Sequence, residues 1–494
     1  MQANERQHRA ILQSIAFRAM QERGLLPDFS AQVLAELDKI KSPAVAAKDE
    51  SVYDLRKLQW ASIDNDDSRD LDQLTTAEPL PGDKVKILVA VADVAALVKD
   101  GSAIDEHARH NTTSVYTAAT IFPMLPEKLS TELTSLNQDV DRLAIVIEMV
   151  IGADGSLQDS KIYRAQVCNH AKLAYSSVAA WLEGVREVPE VLAAELGLDK
   201  NLRTQDKIAQ SMRNFRHIHG ALSLETIEAH PIFDGDQIRD LEEDKSNRAK
   251  DIIEDFMIAA NGVTARYLAS KKLPSIRRVV RVPKRWERIV ELAKNLGTQL
   301  PADPNSKALD EFLIKEKAAD PLRFPDLSLA VIKLLGAGEY IAERPGDPDP
   351  GHFGLAVKDY SHSTAPNRRY SDLITQRLIK AAIEGQAAPY SFDELVGMAR
   401  HFTDQEDAAN KVERRVGKSA AALLLESKIG QTFDAIVTGA ADKGTWVRLL
   451  SIPVEGKVVQ GFEGLDVGNR VHVQLISVNV EQGFIDFKKM GTAR

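Results

Sequence analysis

The densest concentration of carboxylates in the chain is the run Ser62–Gln73, SIDNDDSRDLDQ. Asp70 and Asp72 stand two apart, so an extended backbone points both to one face, and Asp64 can fold back across the Asn65–Ser68 turn to join them. Three hard oxygen donors then converge with no interleaved lysine to neutralise them. Mg²⁺ prefers oxygen ligands in octahedral geometry and keeps several waters, so a few aspartates plus a substrate phosphate suit it. The same residues also read as an exposed acidic loop or a Ca²⁺ turn. An EF-hand is excluded, because Arg69 and Thr75 stand where that loop needs its glycine and its last glutamate.

Opposite in sign is Lys271–Arg288 (KKLPSIRRVVRVPKRWER), eight basic residues against the single acid Glu287. It reads equally as a local phosphate-binding strip or as a solvated charged face. The chain as a whole carries a net charge of −9, so its average field does not attract a polyanion and any nucleic-acid site must be locally basic.

The elements that position these groups come from a chain of 494 residues, roughly three domain lengths. With 44% hydrophobic and 27% charged residues it is neither disordered nor collagen-like, and its one cysteine, Cys168, can form neither an intramolecular disulfide nor a thiolate metal cage. No apolar run reaches the roughly 18–20 residues that span a bilayer, and MQANERQHRA lacks the layout of a signal peptide. A soluble, cytoplasmic protein with no membrane partner is expected. Two helices are predicted at about Arg6–Arg23 and Ser30–Lys41, the second capped by Ser30, before an Ala-rich linker. KILVAVADVAALV reads as a buried strand, and Arg142–Ile151 with Gln158–Cys168 as a hairpin turning at Asp154-Gly155. From about Lys245 the pattern is helical: Lys250–Lys271, Lys284–Leu296, Leu327–Leu335, Arg368–Ile383 and Ser391–Glu426, with a Pro/Gly-rich loop at Arg344–Gly354. Strands followed by helices make the centre α+β. Ile429–Lys489 returns to about five short strands, the size of an OB-type barrel. Its Trp446 and Phe462 or Phe484, with Lys443, Arg448, Lys457 and Arg470 nearby, suit a single-strand platform, although a barrel also needs aromatics inside.

SIDNDDSRDLDQL, VAVADVAALV, TSVYTAATIFPMLPEKLS, SLNQDVDRLAIVIEM and HFGLAVKDYSHSTAPNRRYSDLITQRL, in that order, strongly resemble the catalytic domain of the ribonuclease II / ribonuclease R family. The resemblance spans about Tyr53 to Glu426, and the tail is similar to that family's RNA-binding OB domain. It implies an α+β catalytic domain of ribonuclease II type at 47–426 and a C-terminal all-β OB-fold barrel at 427–494. Typical members place two cold-shock-type domains first, whereas here 1–46 resembles a small α-helical, helix-turn-helix-like module.

The activity implied is that of a processive, hydrolytic, Mg²⁺-dependent 3′-to-5′ exoribonuclease, with Mn²⁺ as a substitute metal, degrading single-stranded RNA to nucleoside 5′-monophosphates. By the same resemblance Asp64, Asp70 and Asp72 form the metal site, with Gln73 in place of the family's fourth aspartate, and Asp70, Asp72 and Arg368 are catalytic. Tyr116 would stack on the 3′-terminal bases, Tyr175 and Glu254 would sense the ribose, and Glu413, Arg369 and Trp446 would complete the RNA contacts. No aromatic partner for Tyr116 is found around Gly220–Thr226, where Leu222 and Leu224 stand. The alternative, raised by Gln73, is an RNA-binding or regulatory member with weakened hydrolysis.

Overall fold

β-Branched residues make Lys84–Ala92 (KVKILVAVA) a strand, and its last six residues are buried. It runs antiparallel to Gln73–Leu80 on one side and to Asp141–Ile151 on the other. The computed structural model describes residues 7–46, 51–348, 350–441 and 444–490, so Arg6 and Lys443 lie outside the described residues. These strands belong to a seven-stranded sheet in the order Tyr53–Asp54, Leu157–Cys168, Asp141–Ile151, Lys84–Ala92, Gln73–Leu80, Ala61–Asp64, Ala171–Ala174. The expected hairpin forms, turning at Gly152–Ser156. Gly155 sits there at φ +86°, and a Cβ would fall 2.2 Å from the Ser211 carbonyl oxygen, so conformation and space both require glycine.

Helices Arg248–Ser270 and Tyr370–Glu384 cover the sheet, with Ile252, Phe256, Leu373 and Leu378 sharing a core with Ile87, Val89 and Ile147. The second helix begins at Tyr370, not at Arg368 as the sequence suggested, because Arg369 has extended backbone (φ −135°, ψ 122°). Helix Leu198–Ile218, which the sequence reading did not single out, packs along Arg248–Ser270.

The 35-residue helix Phe392–Glu426 opens with a reciprocal capping box between Ser391 and Glu394. Its end, Ala420–Leu425, is apolar, and Val416, Ala420 and Leu423 pack in one core with Leu12, Ile15 and Met20 of the first helix, His8–Glu22, and with Val447 and Phe487 of the terminal barrel. That barrel is closed in the order Thr432–Ala441, Gly444–Leu449, Glu455–Gln460, Phe484–Lys489, Arg470–Asn479, which leaves no sheet edge open.

Much of the basic run is answered internally. Ser275–Val279 pairs with Glu339–Glu343, Arg277 meets Glu343 at 3.0 Å, Arg278 meets Glu406 at 2.6 Å and Arg281 bonds Glu339 at 2.5 Å. Arg448, two residues from Trp446 on the same strand, bonds Asp326 at 2.9 Å and holds the barrel to helix Phe324–Leu335.

The N-terminal segment is tied down by Leu26 and Asn111, whose backbone and side-chain amide exchange two hydrogen bonds of 2.9 Å, and by Phe29, whose ring lies 4.4 Å from that of His107. Glu36 of helix Ala31–Leu37 accepts from Ala103 N at 2.7 Å, adding a second cap to helix Ala103–Asn111. Burial pushes the His107 imidazole down from 6.5 to about 4. The folded protein therefore keeps it neutral while an unfolded chain protonates it, so this contribution to stability is full above pH 6.5 and is lost as pH falls toward 4. Melting temperatures measured across that range should fall more steeply for wild type than for His107→Gln, and parallel curves would contradict the assignment.

Candidate active site

Asp64 closes strand Ala61–Asp64, the chain turns at Asn65–Ser68, and Asp70 and Asp72 lead into strand Gln73–Leu80. The return is pinned from beneath: Ser135 Oγ accepts from Leu71 N and donates to Arg69 O, both at 2.9 Å, and Leu136 N donates to Leu71 O at 3.0 Å. Ala92 N donates to Asp72 O at 2.9 Å, which locks Asp72 to the central strand.

Asp72 is 3% exposed, and its partners come from the loop before helix Tyr370–Glu384: Asn367 N donates to Oδ1 at 3.1 Å and Arg368 Nε to Oδ2 at 2.9 Å. Burial pushes its carboxyl up to about 7, with the Asp70 charge acting in the same direction and Arg368 and Asn367 opposing. Burial also raises Asp64, against a backbone hydrogen bond from Asn65. The Arg368 side chain remains 42% exposed. Tyr116 lies beside it, its hydroxyl donating to Asp70 Oδ2 at 3.0 Å and its backbone N–H to Glu413 Oε1 at 2.8 Å. Burial and the Asp70 charge hold the Tyr116 phenol protonated.

The segment carrying Tyr116 is sewn to the arginine loop. Ser114 N donates to Arg368 O at 3.0 Å and Tyr370 N to Thr112 O at 2.7 Å. Thr112 adopts φ +60°, a left-handed conformation that a β-branched side chain rarely takes. Arg369 is spent on the loop itself, its fork meeting both oxygens of Asp372 at 3.0 and 2.8 Å. The bidentate pair makes Arg369 a brace of the loop, and its side chain is 27% exposed.

Asp64, Asp70, Asp72, Arg368, Tyr116 and Glu413 are thus brought to one place. Among the described residues, however, no three acidic, histidine or cysteine side chains gather closely enough to form a ready chelate. Gln73 follows directly, and its Oε1 is buried without a hydrogen-bond partner. Tyr175 starts helix Tyr175–Leu182 next to Ala174, the register partner of Asp64, with Lys250 Nζ 6.0 Å from its ring. It lines two clefts, of about 970 and 820 Å³, together with Asn65, Lys245 and Lys250, and the second also receives Glu254 and Leu224. Trp446 lies apart from both, in a depression of about 440 Å³ with Lys418, Lys457 and the exposed Phe484.

Asn367, Ser135 and Thr112 were missed by the sequence reading. Asn367 sits inside the recognised APNRRYSDL block and Ser135 opens the recognised SLNQDVDRLAIVIEM block; Thr112 acts mainly through hydrogen bonds to distant backbone, which leave no sequence signal.

The RNB domain pattern matches residues 52–385, and that of the RNase II-type exonuclease C-terminal S1 domain matches 431–490. Ribonuclease R of Escherichia coli is 30% identical over 517 aligned residues, covering 97% of this chain and 62% of that protein, so the chain spans about three-fifths of this relative's length. Among solved structures, Mycoplasma genitalium RNase R in complex with ribose-methylated single-stranded RNA superposes with a TM-score of 0.87 at 22% identity, over 98% of this chain and 78% of that one. Yeast Ssd1, described as a pseudonuclease, shares the fold at TM-score 0.72 and 15% identity, over 90% of this chain and 55% of that one. The pattern match covers well over half the chain and the barrel match follows it in order, so this chain belongs to the RNB domain family of the ribonuclease II and R type.

Proposed function

We propose that the protein is a processive, hydrolytic 3′-to-5′ exoribonuclease of the cytoplasm that degrades single-stranded RNA to nucleoside 5′-monophosphates. The observation that carries this reading is the contact of the buried Asp72 with Arg368, beside Tyr116 on Asp70. Water adds to the phosphorus of the terminal linkage, the bond to the preceding 3′-oxygen breaks, and the last nucleotide leaves with its 5′-phosphate. Burial raises the Asp72 carboxyl in the metal-free site, and with an ion bound Asp72 would serve as its ligand, the proton of the attacking water passing to solvent. Arg368, aligned through Nε and still accessible, offers permanent charge to the phosphate oxygens as negative charge grows on them. The Tyr116 ring offers a stacking face that suits any base, which fits a sequence-blind enzyme.

The donor set is all oxygen and includes the unpartnered carbonyl of Gln73, which fits a hard divalent ion completed by substrate phosphate. Asp64, Asp70, Asp72 and Gln73 would hold Mg²⁺, or Mn²⁺ in its place. When bound, the ion supplies Lewis-acid charge at the phosphate and to the attacking water. Ribose selection falls to Tyr175 and Glu254. Glu413 supports the reading by holding the Tyr116 backbone, and Trp446 by marking a further contact for the strand on the barrel.

The second reading, an RNA-binding member with weakened hydrolysis, is favoured by Gln73, which removes one negative charge. Incubating 5′-labelled single-stranded RNA with Mg²⁺ or Mn²⁺ separates the two. A ladder shortening from the 3′ end supports the enzyme; binding without shortening supports the alternative.

Asp72→Asn is expected to abolish hydrolysis in that assay while RNA affinity, measured by filter binding, stays within a few-fold. Arg368→Ala should lower the single-turnover rate by about 10²–10³, with a much smaller loss of affinity. Equal losses would make Arg368 a general phosphate anchor. Gln73→Asp should lower the Mg²⁺ concentration needed for half-maximal activity, and an unchanged titration would exclude Gln73 from the metal site.

A further inference from the structure

We propose that Arg213 is the positioning residue that presents Glu254 to the ribose and so sets the preference for RNA over DNA. This rests on the reading of Glu254 as a ribose contact. Helix Leu198–Ile218 packs along Arg248–Ser270, and Arg213 reaches three carboxylates on its neighbour: Asp251 at 2.7 Å, Glu254 at 3.1 Å and Asp255 at 3.3 Å. The three stand at i, i+3 and i+4, so they share one helical face and repel one another. Asp255 has a second cation in Arg216. Glu254 is different: its side chain is 52% exposed and lines the cleft with Tyr175 and Lys250, while Arg213 is 27% exposed and does not line it.

The guanidinium takes Oε2 of Glu254, which holds the carboxylate at the cleft wall and leaves Oε1 outside that hydrogen bond. An ionised carboxylate only accepts hydrogen bonds. A ribose 2′-hydroxyl can donate one, and deoxyribose cannot. Without Arg213 the Glu254 carboxylate would be repelled by its two acidic neighbours and would have to be ordered when the strand binds. Arg213 therefore acts on selectivity through Glu254, without touching the strand.

The test compares wild type, Glu254→Gln, Arg213→Gln, the double variant and Arg213→Lys. Single-turnover rates are measured on an all-RNA oligomer and on the same oligomer with 2′-deoxy residues in its last 3′ positions, and the ratio is the readout. Glu254→Gln is expected to reduce the RNA:DNA ratio by about tenfold or more, the scale of one hydrogen bond to a charged group. Arg213→Gln should reduce it comparably, the double variant no further, and lysine should recover part of it. If Glu254→Gln lowers the ratio and Arg213→Gln leaves it unchanged, even with both rates reduced, the positioning role is overturned and the ribose reading stands. If Glu254→Gln itself leaves the ratio unchanged, the ribose reading fails and the inference fails with it.

Discussion

A carboxylate with 3% of its surface exposed needs partners to exist as an anion, and Asp72 draws both of its partners from a loop almost 300 residues further along the chain. That contact joins the sheet to the helical layer, and the local structure around it serves to keep it in place. Ala92 fixes the Asp72 backbone, Ser135 fixes the turn that precedes it, and the Arg369–Asp372 fork stiffens the loop that brings Arg368. Removing Arg368 takes away the charge that opposes the effect of burial, so the Asp72 carboxyl would rise further and take up a proton. The joining of the two layers and the charge state of the site therefore meet in the same two side chains.

On the proposed function an acidic protein meets a polyanion and must place its cations with care, and here many arginines are already engaged. Arg277, Arg278 and Arg281 answer glutamates, Arg369 answers Asp372 and Arg448 answers Asp326. The larger cleft carries Asp240, Glu242, Glu243 and Asp244 beside Arg239, Lys245 and Lys250, so its mouth is not a cationic funnel. On the proposed function, recognition at the catalytic end must then rest on short-range contacts: stacking on Tyr116, hydrogen bonds to the sugar and the single guanidinium of Arg368. Such contacts read the chemistry of the strand end more than its charge density.

The aspartate cluster was legible in the sequence because alternation and turn geometry are local, and the strands, the hairpin at Gly155 and the five-stranded tail were legible for the same reason. The fate of the basic run was not. Three of its eight charges meet Glu339, Glu343 and Glu406, which lie some sixty residues or more away along the chain and which no window over Lys271–Arg288 contains. The partner of Arg448 was hidden in the same way, since the Asp326 that holds it belongs to another element. Arg213 left no motif at all, because its importance comes from which three carboxylates the neighbouring helix turns toward it.

Thr112 shows a further kind of illegibility. Local preference would put glycine or asparagine at a left-handed helix end, and a β-branched residue at φ +60° works against it. The conformation persists because two contacts depend on it: Thr112 O receives the first N–H of helix Tyr370–Glu384, and the next few residues carry Tyr116 to Asp70. Backbone strain held at a site must be over-determined by its surroundings. Here the constraint comes from the arginine loop, whose Arg368 carbonyl accepts from Ser114. The strained turn and the Asp72–Arg368 pair thus hold each other, and the place where local sequence rules fail is the place where the two halves of the site are joined.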